Sequence, residues 1–214
     1  MGALTFAKEQ GLDGVFFRQR IDISQTLDQA QLHDVKQLAD EYDLNLEYGI
    51  GSVNPFNIPN SPCIAPLANM DYRLAMEQLI QTGKSIDCVE LCADLASSQT
   101  KMSTGPVRHQ RFRTDVEWSD QLLITEKFLK LLAPILREQG CRVNLETHGE
   151  LSSSEAINLV EAVGPDIVDI TFDAANVIAA GEDPIAAARR VAPYAHLTHV
   201  KDCILYFDDG CLVQ

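Results

Sequence analysis

Three residues able to grip a divalent cation recur along the last third of this 214-residue chain: Glu146, Asp173 and His199, separated by 27 and then 26 residues. Each comes at the end of a short run that reads as a β-strand, so each interval is one strand–helix unit. Side chains alternate across a strand, and parity therefore says what lies beside each ligand. Asn144, Glu146 and His148 share one face, opposite Val143 and Leu145. Asp169, Thr171 and Asp173 share a face opposite Val168, Ile170 and Phe172. Leu197, His199 and Lys201 share a face opposite Thr198 and Val200. Two carboxylates and an imidazole suit a hard or borderline divalent ion, Mn²⁺ or Mg²⁺ first and Co²⁺ or Zn²⁺ after them. The lack of cysteine among them argues against a structural zinc site. The plainer alternative is three unrelated polar strand ends; equal spacing and shared parity favour a site.

The elements that must position these residues alternate along the whole chain. Strands are expected at 14–18, 44–50, 88–92, 142–148, 167–173 and 196–202. Helices are expected over 3–10, 25–43, 71–84, 119–139, 152–163 and 183–191. Ser152-Ser153-Ser154-Glu155 is a capping box, and Asp183-Pro184 supplies a cap and a proline at the first helical position. Pro134 predicts a kink or restart in the long helix. Two irregular stretches, 51–69 and 94–118, interrupt the pattern. No Asn-Gly hairpin signal separates the strands, which points to an all-parallel sheet with crossover helices in one domain spanning 1–214. Helices on one face leave the other for a barrel interior, whose polar residues gather at the C-terminal mouth.

Composition narrows the function. The chain is 46% apolar and 22% charged, with 17 Lys+Arg against 31 Asp+Glu and a net charge of −14. That field argues against nucleic acid or an anionic membrane surface as partner. No apolar run approaches a membrane span, and no basic segment followed by an apolar one opens the chain, so a cytoplasmic protein is expected. Met1-Gly2 hints at myristoylation, but Phe6 stands where that signal needs Ser or Thr. Six cysteines without a C-x-x-C read as free thiols rather than a disulfide framework.

Residues 142–202 resemble the xylose isomerase-like TIM-barrel family of sugar isomerases and epimerases. The matching pieces are Leu145-Glu146-Thr147-His148, Phe172-Asp173-Ala174-Ala175-Asn176, Asp183-Pro184, Ala192-Pro193 and His199-Val200-Lys201-Asp202. Weaker similarity covers most of the remainder, including Gly11-Leu12-Asp13-Gly14-Val15. The resemblance implies an eight-stranded (β/α)8 barrel with one divalent ion at its mouth, held by Glu146, Asp173 and His199. The family's fourth ligand is a glutamate on the eighth strand, and this chain stops at Gln214. The expectation is thus an incomplete barrel of about six βα units, lacking the first and eighth strands. A fragment or truncated product is favoured over strands supplied by a partner chain, because an open barrel exposes unpaired edges.

What the resemblance implies chemically is removal of a proton beside a sugar carbonyl and its return elsewhere, through an enediolate that a divalent ion stabilises. Glu146 is then ligand and acid/base, with His148 and Lys201 binding substrate oxygens or moving protons; a solvated histidine and a surface lysine are their plainer alternatives. Glu47 and Glu90 are further candidates for substrate contact. The basic island Arg108–Arg113 could present Arg108 to a phosphate or carboxylate, or be a solvated loop. Trp118 and Phe56 could stack on a sugar ring or simply pack, while Asn176 and Asp202 brace strand ends and His196 is structural. Three function classes follow: a metal-dependent isomerase or epimerase of a sugar or keto-sugar; a lyase or dehydratase of keto-sugars or keto-inositols on the same site; and a truncated, inactive barrel. A homo-oligomer is compatible with each.

Overall fold

A computed structural model of the chain describes residues 2–24, 26, 28–58, 64, 67, 71–95, 110–204, 206–208 and 211–213. Six parallel strands form one curled sheet in sequential order: β1 (Gly14–Phe17), β2 (Asn45–Ser52), β3 (Glu90–Asp94), β4 (Arg142–Glu146), β5 (Val168–Asp173) and β6 (Ala195–His199). With helices on its outer face, this is an incomplete TIM barrel. The helices are α1 (Gly2–Glu9), α2 (Arg20–Ile23), α3 (Gln29–Tyr42), α4 (Tyr72–Ser85), α5 (Trp118–Gln139), α6 (Ser153–Val163), α7 (Ala174–Ala179) and α8 (Pro184–Val191). No helix among the described residues is long and apolar enough to cross a membrane.

Local chemistry explains the helix ends. Asp28 caps α3 by accepting from the amides of Ala30 and Gln31, Ser152 and Glu155 form the capping box of α6, and Asp183 caps α8. Helix α5 runs on through Pro134, which lies on its exposed side, where water can satisfy the carbonyl that proline leaves without a donor. Val143, Leu145, Val168 and Ile170 point outward from the sheet and are wholly buried, in one core with Leu79 and Ile80 of α4, Leu132 and Leu136 of α5 and Leu159 and Val160 of α6. Each such side chain contributes about 1.5–3 kcal/mol by leaving water.

Three features differ from the sequence expectation. Strand β3 begins two residues late, because the amides of Ile86, Asp87 and Cys88 still bond to carbonyls of the last turn of α4. Strands β4 and β6 stop short of His148 and Lys201: Asp173 pairs with His199 and then turns into α7, so β6 has no neighbour beyond that point. The last strands are not parallel. β7 (Tyr206–Asp208) and β8 (Cys211–Val213) form an antiparallel hairpin, with Asp208 opposite Cys211 around the sequence Asp209-Gly210, a hairpin signal of its own.

The approach of β1 to β2 depends on a missing side chain. A Cβ on Gly49 would lie 2.2 Å from the carbonyl oxygen of Arg18, which belongs to main chain and cannot swing aside as a flexible side chain would. Gly49→Ala is expected to cost about 1–3 kcal/mol or more, seen as a lower midpoint in thermal unfolding followed by circular dichroism. Gly2→Ala, which meets nothing within 4 Å, should not lower it. Equal melting of Gly49→Ala and the parent chain would contradict this packing.

Candidate metal centre and the cleft above it

The ends of β4, β5 and β6 bring Glu146, Asp173 and His199 together, with one donor atom from each lying within 4.8 Å of the others. Asp173 is held from several sides. Its Oδ1 accepts from the amides of Ala175 and Asn176 at 3.1 Å, capping α7, while its own amide donates to Thr147 Oγ1 at 2.9 Å. Asn176 Nδ2 donates to Glu146 Oε1 at 3.1 Å, tying the two carboxylates through one side chain. His199 Nδ1 stands 3.3 Å from Glu146 Oε1 and 3.9 Å from Asp173 Oδ2.

Charge here is balanced by cations. Lys201 Nζ pairs with Asp173 Oδ2 and lies 3.7 Å from Glu146 Oε1. Burial pushes the Glu146 carboxyl upward, but the hydrogen bond to His199 and the charges of His148, His199 and Lys201 outweigh it, holding the group well below the usual carboxylate range. The same bond to Glu146 raises the imidazole of His199. Burial would lower His148, yet its 2.5 Å contact with the carboxylate of Glu150 and the charges of Glu150, Asp94 and Glu146 lift it to about 9. The donor set fits a divalent ion: two carboxylates face one imidazole, whose Nε2 is buried without a hydrogen-bond partner.

Above these residues opens a cleft of about 850 Å³ lined by, among others, Phe16, Arg18, Glu47, Asp94, His148 and Lys201. The Phe16 ring meets that of His199 at 5.4 Å between centroids, linking the first and last strands of the sheet. His148 and Lys201 reach the cleft although both lie past the ends of their strands. Glu47 lines it from within β2. Glu90 does not: at the start of β3 it accepts from Asn144 Nδ2 at 2.8 Å, toward the other end of the sheet. The residue that ends β3 inside the cleft is Asp94, which the sequence reading missed; moving the expected strand forward by two residues would have found it. His196 also belongs to the lower end, 3.6 Å from Asp169 and 3.8 Å from Glu90. Asp202 is exposed and accepts from the amide of Cys203, and among the described residues it does not brace a strand.

Arg111 and Arg113, the described arginines of the basic island, are engaged elsewhere. Arg108 lies outside the described residues. Arg111 donates to Glu155 at 2.7 Å and to the carbonyl of Glu150 at 3.1 Å, and stacks over Trp118. Arg113 binds Asp115, the carbonyl of Phe56 and Asn57, and lies over the Phe56 ring. Trp118 and Phe56 thus pack against arginines and do not line the cleft. Four described cysteines, Cys88, Cys92, Cys141 and Cys203, are free thiols. Cys92 sits in the cleft floor, where burial and the charge of Glu146 push its thiol strongly upward.

The chain belongs to the xylose isomerase-like TIM barrel family, whose pattern matches residues 4–210. Among curated proteins it is similar to the inosose dehydratase of Clostridium tetani, 28% identical over 109 residues, 50% of this chain and 35% of that protein. Among solved structures it superposes on a D-psicose 3-epimerase in the presence of D-fructose, at a TM-score of 0.73 and 16% identity, covering 92% of this chain and 66% of the epimerase. It also superposes on a xylose isomerase-like TIM barrel protein of Mycobacterium smegmatis in complex with magnesium, at a TM-score of 0.71 and 14% identity, covering 99% and 69%. The matches span only 28% and 35% of the lengths of two curated relatives. The fold therefore has sugar epimerases and a dehydratase among its relatives.

The network around Glu155 gives a test. Burial opposes its ionisation, but Arg111, Ser152 and Trp118 donate to it, and its carboxyl lies below the ordinary value. A lowered folded value contributes stability that is present above the ordinary carboxylate pKa and lost as pH falls through the folded one. Acid titration of unfolding should show this as a loss followed by the fluorescence of Trp118, the chain's one tryptophan. Glu155→Gln should flatten that acid limb; an unchanged limb would contradict the network.

Proposed function

We propose that the protein is a divalent-metal-dependent isomerase or epimerase of a sugar or keto-sugar, moving a proton at the carbon beside a carbonyl. The observation that supports this most is the meeting of Glu146, Asp173 and His199 within 4.8 Å at the ends of three successive strands, beneath an open cleft. These three residues would hold the ion, and Mn²⁺ or Mg²⁺ suits their donor atoms. When bound, the ion supplies Lewis-acid polarisation that acidifies the neighbouring C–H bond.

The chain's own residues do the rest. Glu146 is ionised, and its Oε1 is tied to Asn176 and His199, which leaves Oε2 to take the proton from carbon. Lys201 brings a cation to the same point and donates to the substrate oxygen that gains negative charge. His148 has Nδ1 engaged by Glu150, so Nε2 is the nitrogen it offers to a substrate oxygen. Glu47 accepts from a hydroxyl further out. Phe16 and Ile21 give the cleft an apolar wall. A second reading, a lyase of a keto-sugar or keto-inositol, is favoured by the match to the Clostridium tetani dehydratase. It shares the first proton abstraction and then loses a hydroxyl as water.

Incubation with Mn²⁺ and ketoses in D₂O, followed by NMR, should reveal deuterium at the carbon next to the carbonyl. Glu146→Gln should lower that exchange about 10²–10⁴-fold. His199→Ala should weaken Mn²⁺ binding at least about 100-fold by calorimetry, more than loss of an outer partner does. Water loss from a keto-inositol without epimer formation would select the lyase. Mn²⁺ binding with no exchange would select the inactive barrel, and absence of both would sink the metal reading.

A further inference from the structure

Arg18 follows β1 directly, and the alternation that points Phe16 into the cleft points Arg18 there too; both line it. Its place is set by main chain, since the Arg18 carbonyl is the atom that lies against Gly49 of β2. The chain carries 31 acidic residues against 17 basic ones, and its described arginines are mostly paired. Arg73, Arg111, Arg113, Arg137, Arg142 and Arg190 each meet a carboxylate. Arg18 meets none among the described residues. Lys201 faces Asp173 and Glu146, and His148 faces Glu150, so the charge of each is already matched by a carboxylate. The guanidinium of Arg18 is the cation of the cleft lining that faces no described carboxylate, and its fork matches carboxylate and phosphate oxygens.

Phe16 contacts the His199 ring, and Arg18 lies two residues further along the strand direction, about 6–7 Å toward the mouth. We propose that Arg18 recognises an anionic group, phosphate or carboxylate, on the part of the sugar remote from the carbon that exchanges its proton. This rests on the function proposed above and makes the substrate an anionic keto-sugar. Glu47 and Asp94 line the same cleft. They would accept hydroxyls and repel an anion presented anywhere but at Arg18, which fixes the direction in which the sugar enters.

Calorimetry on the metal-free 214-residue chain with D-fructose, D-fructose 6-phosphate and D-fructuronate tests this without relying on turnover. The parent chain should bind at least one of the two anionic sugars about tenfold or more tightly than D-fructose, the scale of one charge-assisted group. The phosphate and carboxylate arms tell which anion it takes. Arg18→Met should bring that ratio close to one at an unchanged thermal midpoint, and Arg18→Lys should restore part of it. No preference in the parent chain, or a preference kept by Arg18→Met, would overturn the assignment. Mn²⁺ titration of the same samples separates the two ideas: an anion preference that depends on Arg18, without Mn²⁺ binding, upholds Arg18 and removes the metal reading.

Discussion

Asp173 has two carboxylate oxygens, and the site depends on their being used differently. One is spent inside the fold: Oδ1 caps α7 through two amides, which holds the first turn of that helix. The other, Oδ2, is thereby aimed at Lys201 and His199, across from Glu146. Thr147 and Asn176 complete the arrangement by joining β5 to β4 on both sides of the carboxylate. Folding and ligand geometry are in this way the same constraint. A change that misplaced Asp173 would loosen a helix start and the candidate metal site together.

The inner face of the sheet carries two polar levels with different roles. At the lower level Arg142 pairs with Asp169, Asn144 donates to Glu90, and His196 stands near both acids. These groups engage one another and link β3, β4, β5 and β6. At the upper level the acids are arranged around cations and an open cleft, so their charge is available to something that enters. The distinction follows position along the strand: in parallel sheets the C-terminal ends carry the loops that can vary, and the other ends serve stability.

The sequence carried β4 and β5 well because each has an apolar face of valine, leucine or isoleucine opposite a polar one, and the helix after each has an explicit cap. It misplaced β3, since the residues that close α4, Ile86 to Cys88, include no glycine or proline to mark the boundary. Asp94 was lost to that shift. The partners of the basic island were out of reach for a different reason. Arg111 meets Glu155 across 44 positions and Arg113 meets Asn57 across 56, and local pattern does not report pairings made by folding. Arg18 was hidden by its surroundings: the run Val15-Phe16-Phe17 reads as a core strand, which gives no hint that its alternate residues border a cleft.

Cys92 sits in the cleft floor, where burial first and the charge of Glu146 second favour the protonated thiol. A protonated thiol is a poor nucleophile and a poor ligand, so the softest donor in the cleft lining stays out of competition with the carboxylates and imidazole around it. It is also slow to start on the path through sulfenic acid to irreversible oxides, which begins from thiolate. Burial, helped by the negative field that gathers cations at the mouth, thus disfavours the thiolate form in the floor of the same cleft.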